Sequence, residues 1–267
     1  MDIGNIIKNS LGYPLSNVKN FLILGLIILL AELYSILSSV GIKNGFLVLL
    51  MIFAFLLMIL REGYKLRILG SSIDGSDVLP DFGNWKRMFL DGVNILIVTI
   101  IYMIPLIIIL FLGIMGMGMF LFSSGASEGS FGRMLLTIIM AIAGIYLIII
   151  YPLLLMAFAN MAHNKSSISH GLKFGEIKTK ISHIGLGSFV GWYIATGIIF
   201  VILLSIGTLL STGFRLIDLK VVGMIINALF IAPFSVIFLM RSTSLVYRYA
   251  LKVQEEFESG EYPEETV

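Results

Sequence analysis

The chain has 267 residues, 58% of them hydrophobic and 13% charged, with a mean hydropathy of +1.02 and a formal net charge of +2. A soluble globule of this size could not hide that much apolar surface, whereas a bilayer solvates it. The small net charge argues against a nucleic-acid partner, and the lack of cysteine excludes disulfides, thiolate metal sites and cysteine nucleophiles.

A helix needs roughly 20 apolar residues to cross a bilayer. Six stretches meet or approach that length, at about Phe21–Val40, Phe46–Leu60, Val93–Phe122, Met134–Asn160, Ile184–Leu210 and Val221–Met240. They predict an all-α membrane fold of six transmembrane helices arranged as three hairpins, joined by amphipathic cytoplasmic connections. Residues 1–254 form this domain, and residues 255–267 read as an acidic, disordered cytoplasmic tail. Glu32 interrupts span one. A charge at that depth is costly and marks a functional hypothesis: a proton relay, a cation ligand, or a partner for Arg215 or Lys220. The plainer reading is a protonated or hydrogen-bonded side chain near the outer interface.

Span two is short and is expected to continue as a helix through Arg61–Leu69. The connection that follows holds a Ser-, Gly- and Asp-rich turn over Ser71–Asp77, and Pro80 restarts the chain. Phe82, Trp85, Met88 and Phe89 recur at helical spacing beside Lys86 and Arg87. That pattern predicts a helix lying in the interface, with Trp85 at headgroup depth and Lys86 and Arg87 near phosphate. Asp74, Asp77, Asp81 and Asp91 lack the 1-3-5 spacing of a calcium loop and read as solvated turn acids.

The run Gly63-Tyr64, Arg67, Asp74-Gly75, Leu79-Pro80-Asp81, Trp85 and Asp91-Gly92 resembles the archaeal membrane family catalogued as domain of unknown function 4013. Phe82 stands where that family often carries Trp, and Asp81 where it often carries Glu. The resemblance extends more weakly to Ala232-Pro233-Phe234 and Tyr247-Arg248-Tyr249. More loosely, the alternation of hairpins and basic exits is similar to the membrane domain of some glycerophosphodiester phosphodiesterases. The resemblance implies an archaeal source and a plasma-membrane location, and it implies no reaction.

Glycines 113, 116 and 118 thin span three, and Pro105 permits a bend. The second connection, Ala162–His183, places Ile168, Leu172, Ile177, Ile181 and Ile184 on roughly one helical face. Lys173, Lys178 and Lys180 fall mostly elsewhere, which predicts a helix lying on anionic lipid. His163, His170 and His183 all lie here, but separations of seven and thirteen do not make the i, i+4 pair of a zinc helix. No metal and no cofactor are expected. Gly187-Ser188-Phe189-Val190-Gly191 in span five is a small-xxx-small pattern that would admit a homo-oligomer. Asn227 in span six reads as interhelical glue or a ligand.

With the N-terminus inside, fourteen of the basic residues fall on cytoplasmic segments, and Lys43, Arg133, Arg215 and Lys220 remain outside. The positive-inside rule therefore places both termini and both long connections in the cytoplasm. The hairpins also resemble one another. Lys19-Asn20-Phe21 and Val93-Asn94-Ile95 open two of them, and Pro152 and Pro233 each precede a polar residue, Asn160 or Arg241, by eight positions. No nucleophile–base or phosphate-loop pattern is present. The sequence reads as a non-enzymatic protein that organises anionic lipid or partners at the membrane, with a small transporter or channel using Glu32 and Asn227 as the alternative.

Overall fold

The computed structural model of the chain describes residues 1–42, 45–124 and 130–259. Among these, all regular structure is helical. An N-terminal helix α1 (Ile3–Gly12) leads through a 3-10 turn to α2 (Val18–Ser39) and α3 (Phe46–Ile73). The second hairpin is α4 (Trp85–Ser124) and α5 (Ser130–His163). Two short helices, α6 (Ile168–Gly171) and α7 (Phe174–Ile184), lead to α8 (Leu186–Leu216). The chain returns through α9 (Lys220–Ile226), a π-helical turn over Asn227–Ile231, and α10 (Ala232–Ser259). The helices α2, α3, α4, α5, α8 and the continuous α9–α10 rod are each long and apolar enough to cross a membrane.

Two connections differ from the expectation. The interfacial helix around Trp85 is not separate. It is the first turn of α4, which enters the bundle without a break. Asn84 starts it, in the left-handed conformation (φ 46°), by accepting from the Arg87 backbone N–H at 3.3 Å. Met88, expected toward lipid, is fully buried in protein. The second connection is broken at Leu172–Lys173 into α6 and α7. The apolar face of α7 packs on α10, α5 and α8, so Ile177 and Ile184 are buried in protein rather than laid on lipid. An amphipathic pattern records that one face must leave water, and a protein surface satisfies it as well as lipid does. At the other end, α10 runs on through Glu255, Glu256 and Glu258 to Ser259. Glu261, Glu264, Glu265 and Lys43 lie outside the described residues.

The helices meet through glycine where they cross. A Cβ on Gly63 of α3 would stand 1.7 Å from the Met88 carbonyl oxygen, and one on Gly92 of α4 would stand 1.9 Å from the Ile59 carbonyl oxygen. The backbones of α3 and α4 therefore touch, as membrane helices do when small residues face each other. Gly25 of α2 meets the Leu229 carbonyl oxygen in the same way, with a Cβ distance of 2.4 Å. Gly191 is covered by Ile3 of α1 at 3.2 Å, so half of the small-xxx-small pattern is used within the chain.

Burial is uneven along the bundle. Tyr64, Trp192, Phe238, Tyr247 and Met161 are 0–1% exposed and lie toward the two long connections. Toward the opposite end, Phe111, Leu112, Ile114, Leu209 and Leu216 are each at least 60% exposed. Helix contacts are thus densest at the end bearing the long connections, the basic face. Gly92→Ala is expected to destabilise the protein by about 1–3 kcal/mol, because backbone atoms cannot yield as a flexible side chain can. Gly83→Ala, with no atom within 4 Å of its Cβ position, serves as the control. Thermal melts of both variants in detergent check this.

Candidate functional site at the basic face

Arg241 is the centre of this face. It lies in α10, 1% exposed, and reads in the sequence as one more interfacial cation. Its Nε and Nη2 donate to Asn9 Oδ1 of α1 at 3.0 and 2.9 Å, and Nη1 donates to the Ser76 carbonyl at 2.6 Å. Nη2 also pairs with the Asp77 carboxylate, and the guanidinium lies 4.4 Å from the centroid of the Tyr13 ring. A buried guanidinium is tolerated only when paired and hydrogen-bonded in this way.

The connection 74–84 is pinned from every side. Tyr13 Oη donates to the Val78 carbonyl at 3.1 Å, and Tyr64 Oη to the Pro80 carbonyl at 2.8 Å. The Leu79 N–H donates to Ser16 Oγ at 3.0 Å. Asn20, 1% exposed, donates to the Pro80 carbonyl at 3.1 Å and to Asp81 Oδ1 at 2.9 Å. Arg67 donates to the carbonyls of Asp81 and Asn84 at 3.3 and 2.8 Å. Phe82 stacks on Tyr64 with centroids 4.0 Å apart, and the half-exposed Trp85 tilts against Phe82. Asp74, Asp77 and Asp81 are exposed, as turn acids are expected to be, and Asp77 and Asp81 also accept from Arg241 and Asn20, whereas Asp91 is buried in the second turn of α4.

The second connection has its own anchor. Asn160, 1% exposed, accepts from Tyr247 Oη at 2.6 Å. Its Nδ2 donates to the His170 carbonyl at 2.8 Å and to Glu176 Oε2 at 3.0 Å. Lys173 donates to Glu176 Oε1 at 2.8 Å. The bonds from Asn160 and Lys173 hold the Glu176 carboxyl below the ordinary glutamate range. Lys180 bonds to Gln254 of α10, and burial pulls its ammonium below the ordinary lysine range. Lys178 is exposed. Asn94 donates to the Ser166 carbonyl at 3.0 Å, as Asn20 does to the first connection.

Among the cavities that open at this face, two border the connections. One, of about 470 Å³, is lined by Arg67, Arg87 and Lys165, with Ser71, Ser166, Asp74 and Asp91 among the other walls. Lys165 and Ser166 beside it are consecutive left-handed residues (φ 55° and 65°), and neither is glycine. Such conformations cost roughly 1–2 kcal/mol each and persist only where the surroundings enforce them. The other, of about 370 Å³, lies between His163, Glu176, Lys180 and Tyr247. Lys86 is exposed and outside the first cavity.

The intramembrane residues do not converge with this face. Among the described residues Glu32 pairs with neither Arg215 nor Lys220, and Arg61 of α3 is the charge that bears on it. Asn227 lies in the π-helical turn with Oδ1 2.2 Å from where a Cβ on Gly207 of α8 would be, so it faces a helix contact. Lys65, expected near the lipid headgroups, instead forms a 2.6 Å ion pair inside the bundle with Glu62, a residue given no role from the sequence. Their i, i+3 spacing within a helix continuous with an apolar span is the available signal.

These features define a multi-pass α-helical membrane protein with a folded polar face. The family described as "Protein of unknown function (DUF4013)" matches residues 46–212, and the chain belongs to that family. No curated protein and no solved structure matches it. The residues carrying the earlier resemblance have physical roles here. Gly63 and Gly92 make the α3–α4 crossing, and Tyr64, Arg67 and Pro80 fix the connection between those helices.

Asn160→Ala removes an acceptor from Tyr247 and two donors from the second connection. It is expected to cost about 1–3 kcal/mol and to return the Glu176 pKa toward the ordinary value. Because the folded carboxyl is depressed, its contribution is present at neutral pH and is lost as pH falls through the folded value. In the variant that acid-side loss should be smaller and should end at a higher pH, measurable from melting temperature against pH.

Proposed function

We propose that this protein is a non-enzymatic, multi-pass protein of the plasma membrane whose cytoplasmic face binds the anionic head groups of lipid. The cavity walled by Arg67, Arg87 and Lys165 carries the reading. Three cations outnumber the acids Asp74 and Asp91 in this recess, and with the serine hydroxyls they supply donors for phosphate oxygens. The left-handed Lys165–Ser166 turn supports it, since strain of this kind collects at binding sites. The cytoplasmic assignment rests on the distribution of basic residues. The transporter alternative has less support, because Asn227 is engaged with α8 and neither it nor Glu32 lines either basic-face cavity.

Arg87 and Lys165 are the residues to change, because Arg67 also holds the connection 74–84. In nanodiscs of mixed phosphatidylglycerol and phosphatidylcholine, the purified protein should enrich phosphatidylglycerol among its retained lipids. Arg87→Gln with Lys165→Gln should weaken that preference by about 1 kcal/mol per charge, and added salt should weaken it in the wild type. Equal retention of the two lipids by the wild type would refute the proposal. For orientation, single cysteines at positions 74 and 170 should react with an impermeant thiol reagent only after the cells are opened.

A further inference from the structure

The cavity walled by Arg67, Arg87 and Lys165 also holds a group that an anion alone does not satisfy. Asp91, in the second turn of α4, is 7% exposed and lines this cavity. Among the described residues its carboxylate accepts no hydrogen bond and joins no ion pair. Arg87 stands one turn earlier on the same helix, yet outside ion-pair distance. Arg67 acts on Asp91 only at longer range, and its Nη1 and Nη2 donate to the carbonyls of Asp81 and Asn84. A carboxylate taken out of water without a donor is costly, so a cavity walled by one calls for an N–H or O–H group inside it.

The cations of the same recess are free to take the other end of such a ligand. Among the described residues the Arg87 guanidinium and the Lys165 ammonium bond no protein acceptor. Asp91 lies about 6 Å further along α4 than Arg87, and Lys165 follows the end of α5. Three cations therefore face two acids across one recess. A head group bearing only phosphate would satisfy the cations and set its own negative charge against Asp91. A phosphoserine head carries two anionic groups and one ammonium, the converse of these walls.

We propose, resting on the reading that this cavity binds anionic head groups, that its ligand carries an ammonium beside the phosphate, as phosphoserine does. The phosphate lies on Arg87 and Lys165, and the ammonium donates to Asp91. A serine phospholipid and free O-phosphoserine share this chemistry.

The test uses the full-length protein in phosphatidylcholine nanodiscs with equal small fractions of phosphatidylglycerol, phosphatidylserine and N-acetyl-phosphatidylserine. Acetylation removes the ammonium and leaves the head more anionic. Retention governed by the cations alone therefore favours the acetylated lipid, whereas the ammonium site should retain the unmodified serine lipid about fivefold over it. In a second arm, free O-phosphoserine and its N-acetyl form are titrated into the protein in nonionic detergent and binding is read by calorimetry. Preference for the free amine among the lipids assigns a lipid ligand, and preference among the soluble compounds alone assigns a soluble one. Asp91→Asn should bring the unmodified and acetylated forms to parity. Equal or stronger binding of the acetylated form by the wild type in both arms would overturn the proposal. Phosphatidylglycerol retained above phosphatidylcholine in that same experiment would leave the anionic-head-group reading standing. A folded Asp91→Asn protein that keeps the wild-type preference would also overturn the proposal, and the wild-type comparison decides it if that variant does not fold.

Discussion

The guanidinium of Arg241 joins parts of the chain that lie far apart in sequence. It binds a residue of α1, the connection between the first two hairpins and the ring of Tyr13, all from within α10. In a bilayer the hydrophobic effect does not press helices together, since lipid chains are as apolar as leucine. Order must come from close backbone contact and from polar groups that have nowhere else to bond. This chain uses the first at Gly63, Gly92 and Gly25, and the second at Arg241, Asn160 and Asn20.

That division explains why burial gathers at one end. Polar tethers are tolerable near water and expensive in hydrocarbon. The connections can therefore be folded as protein, with tyrosine and asparagine side chains closing their backbone groups, while the far ends of α4 and α8 rely on lipid. Asn160 and Arg241, each eight residues beyond a proline, do equivalent work in the second and third hairpins. Asn20 and Asn94 do equivalent work at the hairpin entrances. The first hairpin departs from the scheme, because Arg61 pairs with its neighbour Glu62 and reaches no connection.

The six spans were legible because apolar runs of that length have few other uses. Their ends were harder to read, since α3, α4 and α10 continue as helices well past the hydrocarbon. The environment of the amphipathic segments was not legible at all. Met88 and Ile177 carry the same periodicity whether they face lipid or protein, and only the tertiary packing decides between them. Arg241 and Arg61 likewise look alike in sequence, at the foot of an apolar run. Their different fates follow from Asn9 and Asp77, which reach one and not the other. The candidate cavity residues Arg87 and Lys165 lie on separate connections, so no local spacing could have joined them.

The pairing of Asn9 with Arg241 spans 232 positions of chain. A ribosome releases the N-terminal helix long before it has made the residue that holds it. Throughout that interval α1 lacks its main anchor, and the connection 74–84 lacks one of its fasteners. The polar face is completed only when α10 brings Arg241 to Asn9, Ser76 and Asp77. A nascent chain stalled before α10 would leave Asn9, the Ser76 carbonyl and Asp77 without the cation that joins them.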